Sequence, residues 1–108
     1  MTVTIPASCL ALATLLAIGG DPAAYAGTAE GKARYDQKCQ PCHSIGGQGG
    51  KLAKLGGPLD GVGAKRDGAW LKVYIGDPKS KLPDAKMPKL TLSDQDLDDL
   101  VAYMLTLK

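Results

Sequence analysis

The pentapeptide Cys39-Gln40-Pro41-Cys42-His43 is the stretch on which the interpretation of this 108-residue chain depends. Two cysteines at this spacing fit a disulfide, a thioredoxin-like redox pair, half of a zinc site or covalent attachment of haem. From residue 27 onward the chain has no other cysteine and no other histidine, whereas a zinc site takes about four ligands. A thioredoxin-like pair belongs beside a βαβ pattern, which the sequence lacks. The histidine directly after the second cysteine therefore favours haem.

The chemistry of haem attachment explains this spacing. The thiols of Cys39 and Cys42 can add across the two vinyl groups of haem to form thioethers, which holds the histidine that follows under the iron. We therefore predict one covalently bound haem c, with His43 as the proximal iron ligand.

The second axial ligand has three candidates, Met87, Met104 or an open position, because the predicted mature chain has no second histidine. Met104 falls on the apolar stripe of a predicted helix and is expected to pack in the core. Met87 stands in Lys86-Met87-Pro88, on a proline-stiffened loop that suits a held ligand better than a packing residue. We predict Met87 as the ligand. Six ligands leave the iron no vacancy for a substrate, so the expected chemistry is outer-sphere transfer of one electron.

The N-terminal segment is typical of an export signal. Residues 9–18 form an apolar run of ten, too short for a membrane-spanning helix of about 20 residues. A break at residues 19–22 and the small-x-small sequence at 24–26 follow, as in a cleavable signal peptide, although no Lys or Arg precedes the run. We predict a signal peptide over 1–26 and a periplasmic domain over 27–108, with no stable membrane insertion after cleavage. An uncleaved membrane anchor is the alternative.

The predicted mature domain is small and mildly basic. It has no Phe, and it carries 13 basic and 10 acidic residues. A core of this size commonly needs a disulfide, metal or cofactor to complete it. The excess of positive charge is too small, and too little clustered, to indicate nucleic-acid binding.

Helical patterns account for most of the mature domain. Helices are predicted over about 28–39, 68–76 and 94–107, with Thr28, Asp67 and Ser93 as their respective N-caps. The last helix carries an apolar stripe at i, i+3, i+4, i+7 and i+8, formed by Leu97, Leu100, Val101, Met104 and Leu105. Between the first and second predicted helices, residues 46–63 contain eight glycines. A loop of this length in a compact domain is expected to wrap around another part of the structure. No strand of useful length is evident, so the fold class is all-α.

Taken together, these features make the sequence resemble the class I c-type cytochromes, and the similarity covers nearly all of residues 27–108. Gly31 and Tyr35 before the haem motif resemble the family's first helix, and Tyr103 fits the aromatic partner on its last helix. Gly57-Pro58 matches the family proline, which implies that the Pro58 carbonyl accepts a hydrogen bond from the ring of His43.

The stretch 71–79, continuing to Leu82-Pro83 and Met87, is similar to the mitochondrial type at the same spacing. Tyr74 is thirteen residues before Met87, where the family has a tyrosine near the methionine sulfur; packing on the haem face is an equal alternative. The segment before Leu71 is short, which resembles compact bacterial members. The family's propionate-binding tryptophan falls in the missing part, and Trp70 either replaces it or packs on the haem. The default interpretation of Lys65 and Arg66 is a solvated basic turn, and neutralisation of a haem propionate by one of them is the alternative.

The resemblance implies a compact cytochrome c fold of three to four helices and long loops around one haem. It implies a monomeric electron carrier rather than an enzyme. The alternatives are a subunit tethered to a dehydrogenase or oxidase complex, and a weak peroxidase or ligand-binding haem protein. A set of lysines flanks the motif and the ligand loop and is expected either to face acidic redox partners or to serve solubility alone: Lys38, Lys79, Lys81, Lys86 and Lys89.

Overall fold

The structure, a computed structural model, describes residues 22–108, and side chains from residue 27 onward. The predicted signal peptide therefore lies outside the described residues, apart from the backbone of 22–26. Three longer helices carry the fold, with three one-turn helices and a two-stranded antiparallel hairpin between them. In chain order these are α1 (Pro22–Lys38), β1 (Ser44–Ile45), β2 (Gln48–Gly49), α2 (Ala53–Gly56), α3 (Val62–Lys65), α4 (Gly68–Gly76), α5 (Pro78–Lys81) and α6 (Asp94–Met104). The all-α fold class is confirmed.

Helices α1 and α6 cross in close contact, and glycine makes the closeness possible. A Cβ at Gly31 would overlap the carbonyl group of Asp99 and lie 2.7 Å from the Cβ of Tyr103. Beside this point the rings of Tyr35 and Tyr103 pack at 5.8 Å between centroids, tilted by 52°. Leu100 of α6 is fully buried next to them. The aromatic pair that the family resemblance implied is therefore present.

Two of the three predicted caps are present. Asp67 accepts a hydrogen bond from the backbone N–H of Trp70 at 2.7 Å, and Ser93 accepts one from that of Asp96 at 3.0 Å. Thr28 is not a cap, because α1 begins at Pro22 and passes through it; the alanines after Pro22 favour helix and proline suits a first helical position. Helix α6 ends earlier than predicted, at Met104.

The glycine-rich loop is more ordered than its composition indicates. It contains β2 of the hairpin, the one-turn helix α2 and the start of α3, none of which was predicted. Its backbone bonds back to the haem motif: the N–H groups of Gly50, Leu52 and Gly56 donate to the carbonyls of Gln40, Pro41 and Cys42 at 2.8, 3.0 and 2.8 Å. Such contacts between backbones cannot be read from residue types. The loop is nevertheless wrapped around the motif, as its length led us to expect.

In the part of the chain that the structure describes, no helix is both long and apolar enough to cross a membrane.

Replacement of Gly31 tests the helix crossing. We expect Gly31→Ala to lower the free energy of unfolding by about 2 kcal/mol, because the added methyl group must push α1 away from α6. Gly76→Ala is the matched control, since its Cβ would meet only Leu97 at 3.6 Å, and it should change stability by about 0.5 kcal/mol or less. Thermal unfolding of the haem-loaded protein measures both, and equal stability of the two variants would contradict the packing described.

Candidate functional site

The haem motif forms a tight turn at the end of α1. The backbone N–H of Cys39 still donates to the carbonyl of Tyr35 at 2.9 Å, and those of Cys42 and His43 both donate to the carbonyl of Cys39, at 3.0 and 2.9 Å. Cys39 and Cys42 are not joined in a disulfide; Cys39 is buried at 4% exposure and Cys42 is half-buried. The turn thus directs two thiols and one imidazole into the same region of the structure.

Two cavities that share part of their lining lie beside this turn. The one lined by the buried Cys39, called here the inner cavity, has a volume of about 240 Å³, and the one lined by the half-buried Cys42, called the outer cavity, has a volume of about 510 Å³. His43, Gly56, Tyr74 and Met87 line both cavities. Most of the inner wall is apolar and comes from the segments between 59 and 104: Leu59, Val62, Trp70, Leu71, Ile75, Leu82 and Met104.

Five of the six residues predicted for the site therefore meet around one space: Cys39, Cys42, His43, Tyr74 and Met87. Pro58 does not, and it is exposed on the outer side of the glycine-rich loop. Two thiols, one imidazole, one thioether and an apolar wall suit a haem attached through the cysteines, so the residues present fit the group.

The ring of His43 is held by a backbone carbonyl, as expected, but not by that of Pro58. Its Nδ1 lies 3.0 Å from the carbonyl oxygen of Gly57. The reason is the pairing of this segment with Ser44, whose N–H also donates to Gly57. Gly57, at φ 75°, turns the chain just before Pro58, and its carbonyl is the one that reaches the ring. The assignment of Pro58 as acceptor is wrong by one residue.

This hydrogen bond decides the tautomer of His43. A carbonyl oxygen only accepts, so Nδ1 carries the proton and Nε2 keeps its lone pair. A hydrogen bond of this kind from Nδ1, the ring nitrogen that does not bind the metal, fixes the ring orientation and raises the basicity of Nε2. His43 is therefore preset as a metal ligand through Nε2.

Gly56 is a site residue that sequence reasoning missed. A Cβ here would overlap the carbonyl of Cys42 and lie 2.7 and 2.8 Å from Cε1 and Nδ1 of the His43 ring. The loop can press against the imidazole only because this residue has no side chain. The run of glycines just before Pro58 was the signal that could have revealed it.

A stack of side chains forms one wall of the inner cavity. The rings of Trp70 and Tyr74 lie parallel, with centroids 4.8 Å apart and an angle of 15°. The guanidinium carbon of Arg66 lies 4.0 Å above the Trp70 ring, within the range of a cation–π contact. Of the two basic residues considered for a propionate, it is Arg66 that lines the cavity.

The surroundings of Cys39 are apolar, since it belongs to the buried core cluster. Burial, and to a lesser degree the neighbouring Cys42, raises the pKa of the unmodified Cys39 thiol to about 11. This shift concerns the chain before haem is attached.

Comparison with known proteins agrees with this site. Residues 28–108 match the family model described as Cytochrome c. The chain belongs to this family. It is 35% identical to a cytochrome c-550 from Nitrobacter winogradskyi, over 68% of this chain and 84% of that protein. It is also 32% identical to a cytochrome c2 from Rhodoplanes tepidamans, over 63% of this chain and 81% of that protein. No solved structure gives a significant match.

Membership of the cytochrome c family settles the cofactor and the class of activity. The protein is a small bacterial c-type cytochrome with haem c bound covalently through its cysteines. It is an electron carrier and not an enzyme. The predictions of family, cofactor and activity are thus confirmed.

The close approach of Gly56 to the histidine gives a test of the site. We expect Gly56→Ala to displace the His43 ring, since the added methyl group would lie within 3 Å of two ring atoms. The weakened His43–Gly57 bond should then lower the yield of low-spin haem protein by roughly tenfold, the lower end of the range for loss of such a supporting bond. Electron paramagnetic resonance of the oxidised protein measures this. An unchanged spectrum and yield would show that the ring does not depend on this contact.

Proposed function

We propose that the haem of this cytochrome is ligated by His43 and Met87 and attached at Cys39 and Cys42. The observation that carries this is the shared lining: His43 and Met87 line both cavities, Cys39 lines the inner one and Cys42 lines the outer one. When bound, haem supplies a one-electron Fe(III)/Fe(II) couple. His43 offers Nε2, and Met87 offers a soft sulfur that stabilises the ferrous state.

Met104 is the competing sulfur, since it also lines the inner cavity. It is 3% exposed and belongs to the packed core between α4 and α6. Met87 is half-buried, lies outside the helices and lines both cavities. A ligand on a loop can move to the iron without distorting a packed helix, which favours Met87.

Two further residues have supporting roles in this proposal. Tyr74 lines both cavities and stacks on Trp70, so it would pack against a haem held there. Pro58 follows the carbonyl that holds His43, and its fixed φ stiffens that segment. It acts on the ligand through the position of Gly57.

Exchange of the two methionines separates the ligand from the core residue. We expect Met87→Leu to abolish the weak far-red sulfur-to-iron band of the oxidised protein. Loss of the soft ligand should lower the reduction potential by on the order of 0.1 V, within the ~0.8 V that axial ligands span. Met104→Leu, the matched control, should keep the sulfur-to-iron band and leave the reduction potential unchanged. Absorption spectra and potentiometry measure the two effects.

The reverse pattern, with the band lost only in Met104→Leu, would overturn the ligand assignment. Absence of the band in the unaltered protein would point instead to an open iron position and a ligand-binding role.

We also propose that the protein works in the periplasm after removal of residues 1–26. The apolar run and the Ala24-Tyr25-Ala26 sequence support this. The mature chain would then start at Gly27, inside α1. Mass spectrometry of the exported protein tests the boundary: a haem-loaded chain of residues 27–108 supports it, and a chain that keeps residues 1–26 supports a membrane-tethered subunit.

The redox partners, we propose, present acidic surfaces to a monomeric cytochrome. The flanking lysines are all exposed. One groove beside Met87 is lined by Lys79, Lys86 and Lys89. Asp77 and Asp84 line the same groove. Within residues 27–108 the ion pairs between side chains involve Lys32, Arg34 and Lys72. The flanking lysines are therefore not engaged in these ion pairs and can face a partner: Lys38, Lys79, Lys81, Lys86 and Lys89.

Charge removal tests this electrostatic role. With hexacyanoferrate(III) as an anionic oxidant, we expect Lys86→Gln to slow electron transfer at least ~2-fold at 10 mM ionic strength, where the Debye length is about 30 Å. Lys32→Gln removes the same charge from α1, where Lys32 is paired with Asp36 at 2.9 Å, and should have a smaller effect. Stopped-flow absorbance measures the rates. A rate that does not change with salt in the unaltered protein would contradict the proposal.

A further inference from the structure

Asp99 is a buried acidic residue at the point where α1 crosses α6. It is 9% exposed, and its backbone carbonyl is the group that a Cβ at Gly31 would overlap. The side-chain amide of Gln95, one turn earlier on α6, donates to Oδ1 of Asp99 at 2.8 Å. Aspartate is seldom buried to this degree unless it is paired with a positive charge. The position of Asp99 therefore favours a cation beside it.

The basic side chains that the structure describes do not form an ion pair with Asp99. Within residues 27–108 the ion pairs engage three other carboxylates: Lys32–Asp36, Arg34–Asp96 and Lys72–Asp98. The amide of Gln95 is neutral, so it gives Asp99 a hydrogen bond but no opposite charge.

On the facing helix, Gly27 lies against the carboxylate of Asp99. A Cβ at Gly27 would lie 3.3 Å from Oδ1 of Asp99 and 3.6 Å from the Cβ of Ala102. The backbone nitrogen of a residue is about 2.5 Å from its own Cβ position, so the nitrogen of Gly27 lies within roughly 6 Å of that oxygen. Gly27 is one turn before Gly31 and shares the face of α1 that packs on α6.

Gly27 is also the residue at which we propose that the mature chain starts. In the uncleaved chain its nitrogen is a neutral amide within α1, which begins at Pro22. Hydrolysis of the Ala26–Gly27 bond by a signal peptidase leaves a carboxylate on the leader and an amine on Gly27, which takes up a proton. An ammonium group at the N-terminus of a helix adds to the positive end of the helix dipole, which is unfavourable. A carboxylate beside this end offsets that cost.

We propose that Asp99 is the binding site for the new N-terminus, and that its carboxylate forms an ion pair with the α-ammonium of Gly27 after the signal peptide is removed. This rests on the proposed cleavage after Ala26. The precursor lacks the ion pair, so cleavage adds a contact that fastens α1 to α6. Because α1 leads into the turn from Cys39 to His43, this contact stabilises the element that positions the haem motif.

A two-residue insertion moves the amine away from Asp99 without altering α6. Gly-Ser placed between Ala26 and Gly27 keeps glycine as the first residue after the cleavage site. Continued as helix, the two residues carry the amine to the opposite side of α1, since each turns the chain by about 100°. Urea unfolding of the haem-loaded proteins compares Asp99→Asn in both chain lengths. We expect the substitution to raise the unfolding constant about tenfold in the chain that starts at Gly27, and about twofold or less in the longer chain.

Asp94→Asn is the matched control for this comparison. It removes the same charge from the first turn of α6, where Asp94 is exposed, and its effects in the two chain lengths should agree within about twofold.

Reactivity of the amine gives a second measurement that needs no change at Asp99. Acetic anhydride modifies only the unprotonated amine, and a carboxylate partner favours the ammonium form. At pH 7 we expect the N-terminus of the unaltered mature protein to react about fivefold more slowly than that of the longer chain. Peptide mass spectrometry measures the rates, with the exposed Lys54 as the internal reference.

The results separate this proposal from the proposed function. An intact mass that shows a start other than Gly27 overturns the cleavage boundary and the ion pair together. If the chain does start at Gly27, an equal effect of Asp99→Asn in both chain lengths overturns the ion pair alone. Equal acetylation of the two N-termini also overturns it, and neither result affects the assignment of His43 and Met87.

Discussion

The turn from Cys39 to His43 is the constraint on which the rest of the molecule depends. It holds two thiols and an imidazole in fixed relation, and its carbonyls at Gln40, Pro41 and Cys42 are the acceptors that organise the following loop. Helix α1 leads into the turn and is locked against α6 at Gly31. The first and last helices of the described residues are therefore in contact next to the motif, and Cys39 and His43 of the motif line the inner cavity.

Burial divides the site into parts with different chemistry. The inner cavity is walled mostly by apolar side chains and contains Cys39, which is 4% exposed. Arg66 lies over Trp70 in this wall, and other charged groups lie outside it, on the ligand loop and around α2. An apolar interior protects the ligand bonds from water, while an outer charged rim acts over distance on a partner. A carrier that binds no substrate needs both features and little else.

Two glycines of the loop at residues 46–63 hold the histidine ring in place rather than making the loop flexible. Gly56 lets the loop lie against the imidazole, and Gly57, with φ at 75°, turns the chain so that its carbonyl reaches Nδ1 of His43. The histidine is thus supported by backbone on two sides. Its orientation and tautomer are set by the fold of a loop that has almost no side chains of its own.

The sequence by itself determined the chemistry of this protein, because that chemistry depends on residue types at short spacing. The motif, the loop position of Met87 and the caps Asp67 and Ser93 are local signals, and they indicated the cofactor, the candidate ligand and two helices. Tertiary structure decided what depends on backbone direction and on contacts between distant segments. It moved the histidine's acceptor from Pro58 to Gly57, brought Gly56 against the ring, and placed Leu55 on the cavity that Cys42 lines. A carbonyl's direction and a loop's return path follow from the summed dihedral angles of many residues, and no residue type in the sequence encodes them singly.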